Sequence, residues 1–273
     1  MKSPIAIMQG RLSPPRPDRL QCFPWKTWER EFEYAAALGL DAIEWLFEAD
    51  DFKRNPVWTP AGRTAIRRRA AETGVRTVSL CADYFMSHPF FRISVTERLR
   101  SVDMICRLVD AAREVGVQSL LLPVLEVSEV RTPAERGLLL ESLQHPLALA
   151  LTAGLRIGLE TELPVADYSA LVRDAAHPAL GVYYDTGNAA ACGYDTAADI
   201  VSLSPLLCGV HLKDRPVGGS SVPLGQGAAR FDRFFAALRP LGYEGVFTLQ
   251  TTSGADFLGD ARRHVQFVKE HWQ

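Results

Sequence analysis

The 273-residue chain predicts a single-domain α/β fold, the (β/α)8 TIM barrel, from three observations. Short apolar runs alternate with longer amphipathic segments, eight such pairs can be counted, and several of the longer segments stop at a glycine. Strand-helix alternation implies a parallel sheet with right-handed crossovers. Eight repeats favour closure into a barrel, which as one unit runs to roughly 250 residues. No G-x-G-x-x-G follows the first apolar run, so an open dinucleotide-binding sheet has no support. No linker or low-complexity stretch divides the sequence, and residues 1–273 read as one domain.

In order, Ile5 to Met8 is strand-like and leads through Gln9-Gly10-Arg11 into the proline-rich Pro14-Pro15-Arg16-Pro17. That loop is too irregular for a helix and too long for a tight turn, which suits a covering role. Trp25 to Leu38 reads as a helix stopped by Gly39, and Ala42 to Trp45 as the second strand. The cadence repeats with helix 59–73, strand 77–81, helix 94–115, strand 119–123, helix 132–153 and strand 156–160. The second half gives a helix from about Asp167, strand 181–185, helix 196–203, strand 208–212, helix 231–238, strand 245–250 and a final helix 256–269.

Hydrophobic residues make up 47% and charged residues 23% of the chain, and the formal charge is −2. No basic field points to nucleic acid. The five cysteines are scattered and form no C-x-x-C, which argues for a reducing, cytoplasmic setting and against a thiolate metal site. The N-terminal apolar run is broken at once by Gln9-Gly10-Arg11, too early for a membrane span or signal peptide.

In a parallel barrel the working groups stand at the C-terminal strand ends. There the sequence delivers Glu44, Asp83, Glu160 with Glu162, Asp185, His211 and Gln250. Strands five to eight thus converge on carboxylates, an imidazole and an amide, a donor mix suited to one divalent ion such as Mn²⁺, Mg²⁺, Co²⁺ or Zn²⁺. The plainer alternative is a set of satisfied polar residues. Glu160 and Glu162, two apart, face the same way if the strand persists. Glu160 is the better ligand, and Glu162 supplies a second carboxylate for acid/base work or merely closes the strand.

After the seventh strand, His211-Leu212-Lys213-Asp214-Arg215 is followed by a Gly/Ser-rich loop, 218–227. Lys213 and Arg215 beside such a loop can hold an anion or stabilise an oxyanion, although solvated surface charges fit as well. Arg11 is a further clamp. Of Trp25, Trp28, Trp45 and Trp58, Trp45 is the best placed to wall a sugar site, with core packing the alternative. His88, His145, His177, His264 and His271 read as surface groups.

Met8-Gln9-Gly10-Arg11-Leu12-Ser13-Pro14-Pro15, Phe23-Pro24-Trp25, Glu44-Trp45, Leu159-Glu160-Thr161-Glu162, Tyr184-Asp185-Thr186-Gly187-Asn188, His211 to Arg215 and Pro223-Leu224-Gly225-Gln226-Gly227 occur in that order. The set resembles the xylose isomerase-like sugar phosphate isomerase/epimerase family of TIM barrels. The resemblance implies a divalent metal on Glu160, Asp185, His211 and the eighth-strand position, where this chain has Gln250 in place of glutamate. It also implies two catalytic glutamates in many of the epimerases. Gln250 is neutral and cannot be a general base. Asn188 is a second departure, standing where several relatives have histidine.

The expected function is a metal-dependent isomerase or epimerase of a sugar or sugar phosphate, moving a proton through a metal-stabilised enediolate. Glu160, Glu162 and Lys213 are the catalytic candidates; Arg11, Glu44, Trp45, Asn188 and Arg215 are the substrate-binding candidates. No nucleic acid or membrane is expected as partner, and a homo-oligomer is left open. A dehydratase or lyase on the same site, and a non-catalytic sugar-binding barrel, are the alternatives.

Overall fold

Strands β1 (Ile5–Met8), β2 (Ala42–Leu46), β3 (Arg76–Cys81), β4 (Ser119–Pro123), β5 (Arg156–Glu160), β6 (Leu180–Asp185), β7 (Leu207–Leu212) and β8 (Phe247–Leu249) pair in parallel, each with the next. β8 returns to β1 and closes the barrel, so the predicted fold is the observed one. The computed structural model describes residues 3–16, 19 and 21–272; Pro17 of the proline-rich run lies outside them.

The helices α1 (Trp28–Leu38), α2 (Pro60–Thr73), α3 (Val95–Glu114), α4 (Pro133–Ala153), α5 (Val165–Asp174), α6 (Thr186–Ala191), α7 (Thr196–Leu203), α8 (Phe231–Leu238) and α9 (Phe257–Trp272) lie in the strand-to-strand connections and after β8. Local chemistry starts and stops them. Thr132 accepts from Glu135 N at 3.2 Å while the Glu135 side chain accepts from Thr132 N, with Pro133 at the first helical position of α4. Gly154 ends the same helix at φ +71°, a left-handed turn that a side chain would strain.

The start of α1 and both ends of β8 correct the sequence reading. Residues 25–27 form a turn in which Thr27 N and Trp28 N donate to Pro24 O, so α1 begins at Trp28. β8 spans only Phe247–Leu249, leaving Gln250 just past its end. The turn after Asp185 is itself the short helix α6. No helix among the described residues is long and apolar enough to cross a membrane, and all five cysteines are free thiols.

Most of the core lies between the barrel and its helices. The barrel's lower interior is plugged by a small cluster, Ala6, Ala42, Val78 and Val246. Above it lies a polar layer: Glu44, Tyr183, His211 and Thr248, all fully buried. Tyr183 fits there because Gly209 has no side chain; a Cβ at Gly209 would come within 2.4 Å of the Tyr183 ring.

Candidate active site

Four strand ends deliver the site. Asp185, the last residue of β6, caps α6: its Oδ1 accepts from Gly187 N at 2.7 Å and Asn188 N at 2.8 Å. That places one oxygen firmly and leaves Oδ2 buried and with no hydrogen-bond donor. Lys213 Nζ lies 3.6 Å from Oδ2 and His211 Nδ1 3.9 Å from it. Glu160 Oε1 accepts from Asn188 Nδ2 at 3.1 Å and stands 4.0 Å from His211 Nδ1. Glu160, Asp185 and His211 therefore each present a ligand atom within 4.8 Å of the others.

His211 is aimed from behind. Its Nε2 meets Glu44 Oε1 at 2.6 Å, and Tyr183 donates its hydroxyl to Glu44 Oε2 at 2.5 Å. With Nε2 occupied, Nδ1 is left on the side of Glu160 and Asp185, buried and without a hydrogen-bond partner. Gln250 Nε2 donates to Gln21 Oε1 at 3.3 Å, and its own Oε1 is the third unpartnered buried atom at this rim. Buried polar atoms are normally paired. Three such atoms, two oxygens and an imidazole nitrogen, beside the Glu160 carboxylate, are the donor set of a hard or borderline divalent cation. The residues present fit the metal that the sequence implies.

Charge agrees with that fit. Burial pushes the Glu160 carboxyl up to about 8, with His211 opposing the rise and the Asp185 carboxylate adding to it. His211 moves up as well: burial works against the charged ring, but Glu44, then Glu160 and Asp185, outweigh it. Burial would raise Glu44 too, yet the charge and hydrogen bond of His211 bring it below the usual carboxylate range. Burial and the neighbouring carboxylate thus both weigh against a charged Glu160, a cost that a bound cation would offset.

Asn188 joins this group to a cationic wall. Its Oδ1 accepts from Lys213 Nζ at 3.2 Å and Arg215 Nη1 at 3.0 Å, while its Nδ2 serves Glu160. Asp214, buried between Lys213 and Arg215, accepts from Gly225 N, Gly227 N and Ala229 N at 2.9–3.1 Å and so folds the loop that follows β7. Gly227 has to be glycine there, because a Cβ would stand 2.2 Å from Asp214 Oδ1. Glu162 is more exposed and lies 3.6 Å from Arg215 Nη1.

Glu160, Glu162, Asn188, Lys213, Arg215 and Gln250 line one cleft of about 500 Å³, with Ser220 and Ser221 on the loop side. Its other wall carries Asp83 and Glu126. Burial, reinforced by Glu48 and Glu126, pushes Asp83 up to about 6.

Other sequence candidates lie elsewhere. Glu44 is fully buried inside the barrel, where it holds His211, and it does not line the cleft. Trp45, the next residue, points outward by strand alternation; it is fully buried against Phe23 and Trp28 and donates Nε1–H to Asn55 Oδ1 at 2.9 Å. It does not line the cleft of Glu160. Arg11 is buried and lines a neighbouring cavity of about 790 Å³ under the β1–α1 loop. His264, expected at the surface, is buried on the inner side of α9. The sequence does not mark Tyr183, Asp214 or Gln21 as site residues. Alternation from Asp185 places Tyr183 on the inward face, whereas nothing in the loop sequence signals Gln21.

A family model described as xylose isomerase-like TIM barrel matches residues 32–271. The chain belongs to that family. L-ribulose-5-phosphate 3-epimerase UlaE from Salmonella paratyphi A is 25% identical over 234 residues, covering 83% of this chain and 82% of that protein. Among solved structures, 3-keto-D-glucoside 4-epimerase YcjR from E. coli superposes with TM-score 0.76 at 18% identity, covering 98% of this chain and 100% of YcjR. A xylose isomerase-like TIM barrel protein from Mycobacterium smegmatis, solved in complex with magnesium, gives TM-score 0.72 at 20% identity, covering 100% of this chain and 98% of the other. The structural likenesses bear on the fold.

Proposed function

We propose that this family member is a metal-dependent isomerase or epimerase acting on a sugar or sugar phosphate. The observation that carries the reading is the trio of buried, unpartnered atoms, Asp185 Oδ2, His211 Nδ1 and Gln250 Oε1, gathered beside Glu160 at the floor of a cleft with one cationic wall. Relatives named as L-ribulose-5-phosphate 3-epimerases support the sugar phosphate class.

Glu160, Asp185, His211 and Gln250 would hold one divalent ion. When bound, that ion supplies a Lewis acid for a substrate carbonyl or hydroxyl and lowers the cost of ionising Glu160. Glu160 removes the proton next to the carbonyl, and the electron pair moves onto the carbonyl oxygen to give an enediolate. Lys213 stabilises the developing oxyanion, and Arg215 with the Ser220-Ser221 loop receives the phosphate. The acidic wall of Asp83 and Glu126 repels an anionic group, so the substrate lies with its phosphate toward β7 and its hydroxyls toward β3 and β4. Gln250 cannot take or give the proton. This favours a shuttle run by Glu160 with one other acid, Glu162 or Asp83, over exchange between two ligand glutamates.

The test is exchange of substrate carbon-bound hydrogen with solvent deuterium, followed by proton NMR on L-ribulose 5-phosphate and a panel of free ketoses with Mn²⁺ present. Wild type is expected to exchange, and Glu160→Gln to slow exchange by at least about 100-fold. Absence of exchange with every sugar in metal-loaded wild type refutes the proposal.

A further inference from the structure

We propose that Gln21, in the loop between β1 and α1, is a positioning residue that turns the carbonyl oxygen of Gln250 toward the ion site. The inference rests on the metal-site reading above and concerns how a neutral side chain can serve in it. An amide has two ends of opposite use: the oxygen can ligate a cation, whereas the NH₂ group, a donor only, repels one. At Gln250 the two ends are told apart by their neighbours. Nε2 donates to Gln21 Oε1 at 3.3 Å, and Oε1 is buried with no hydrogen-bond partner. Turned over, Gln250 would set oxygen against oxygen at Gln21 and present its NH₂ to the ion site. With Gln21 Oε1 facing it, Gln250 is ordered so that the end of the eighth strand offers an acceptor.

Both residues line the cleft that contains Glu160. The contact also crosses the seam where β8 meets β1, so the β1–α1 loop, which the sequence marks as a covering loop, is tied to the ion site through one hydrogen bond. With Gln250 neutral, the four ligands carry two carboxylates, enough to balance one divalent charge. Supporting residues of this kind commonly change metal affinity by about 10- to 100-fold, and a neutral ligand places the effect at the lower end.

The experiment is Mn²⁺ binding by the full-length chain, read by calorimetry and by the electron paramagnetic signal of free Mn²⁺, in wild type, Gln21→Leu, Gln250→Leu and the double variant. The changes to leucine are charge-neutral. Wild type is expected to bind one Mn²⁺, Gln21→Leu to bind about tenfold more weakly, and the double variant to bind no more weakly than Gln250→Leu, because Gln21 acts through Gln250. Gln21→Glu keeps the acceptor and should bind at least as tightly as wild type. Wild-type affinity in Gln21→Leu, a full tenfold loss on top of Gln250→Leu, or weakened binding in Gln21→Glu each overturns the assignment while leaving the ion site standing. A folded wild type that binds no Mn²⁺ overturns the site reading and this assignment with it.

Discussion

The two halves of the barrel rim use similar residues in different ways. On β5 to β8, Glu160, Asp185, His211 and Gln250 gather at one cleft, and three of them keep a buried atom without a hydrogen-bond partner. On β1 and β2, Arg11, Glu44 and Trp45 also stand at or near strand ends, yet each is taken up by the fold. Trp45 packs outward on Phe23 and Trp28, Arg11 is buried beside the β1–α1 loop, and Glu44 sits in the interior layer below the rim. A polar residue near the end of a barrel strand is thus only half of a site. The other half is the direction it faces and the height at which it stands.

If this contrast holds, changes in the first half should cost stability and leave the ion site alone. Trp45→Ala removes a fully buried indole and the Nε1–H bond to Asn55. The expected loss is about 3–5 kcal/mol of unfolding free energy, with Mn²⁺ affinity of the folded protein unchanged. Denaturant unfolding and calorimetric titration on the same sample check it. A large fall in affinity without a fall in stability would place Trp45 in the site after all.

A smaller effect in the same half comes from Glu31 of α1, which holds the β1–α1 loop. Its carboxylate accepts from Gly10 N at 3.0 Å and from Ser13 Oγ at 2.8 Å. Burial pushes Glu31 up to about 7 from 4.5, only partly offset by those hydrogen bonds. The folded protein therefore keeps a proton that the unfolded chain has released. Its contribution is whole below about pH 4.5 and is lost as pH rises to about 7, a difference of about 3 kcal/mol. Glu31→Gln should flatten that part of the stability-against-pH curve relative to wild type. Denaturant midpoints measured between pH 4.5 and 8 give the comparison, and parallel curves would show that Glu31 stays ionised.

Much of this was legible in the sequence because strand and helix periods differ and glycines mark helix ends; β4 and β5 have the predicted bounds. The converging set on β5 to β8 was legible for the same reason, since an apolar run ending in a charge needs a partner. Three features were not. Glu44 and Trp45 look alike as strand-end residues, and only the three-dimensional packing shows that both are fully buried, one inside the barrel and one outside it. His264 falls on the buried stripe of a helix whose sequence is half polar. Gln21 belongs to an irregular loop, where no period relates sequence position to direction.

Glu44 is where the two halves meet, and it gives the finest test of the comparison. It belongs to β2 but its contact is His211 of β7, reached across the barrel interior. Glu44→Gln keeps size and an acceptor oxygen yet removes the charge that holds Nε2 and leaves Nδ1 on the side of Glu160 and Asp185. The expected result is a fall in Mn²⁺ affinity of about 10- to 100-fold, the usual range for a carboxylate supporting a ligand histidine. Tyr183 loses its charged acceptor but retains Thr248 Oγ1 at 3.1 Å, so the fold should survive the change. Unfolding and titration measured together decide between two accounts of the buried carboxylate. A loss of affinity in a stable protein makes Glu44 part of the site by way of His211, whereas a loss of stability at unchanged affinity returns it to the structural half.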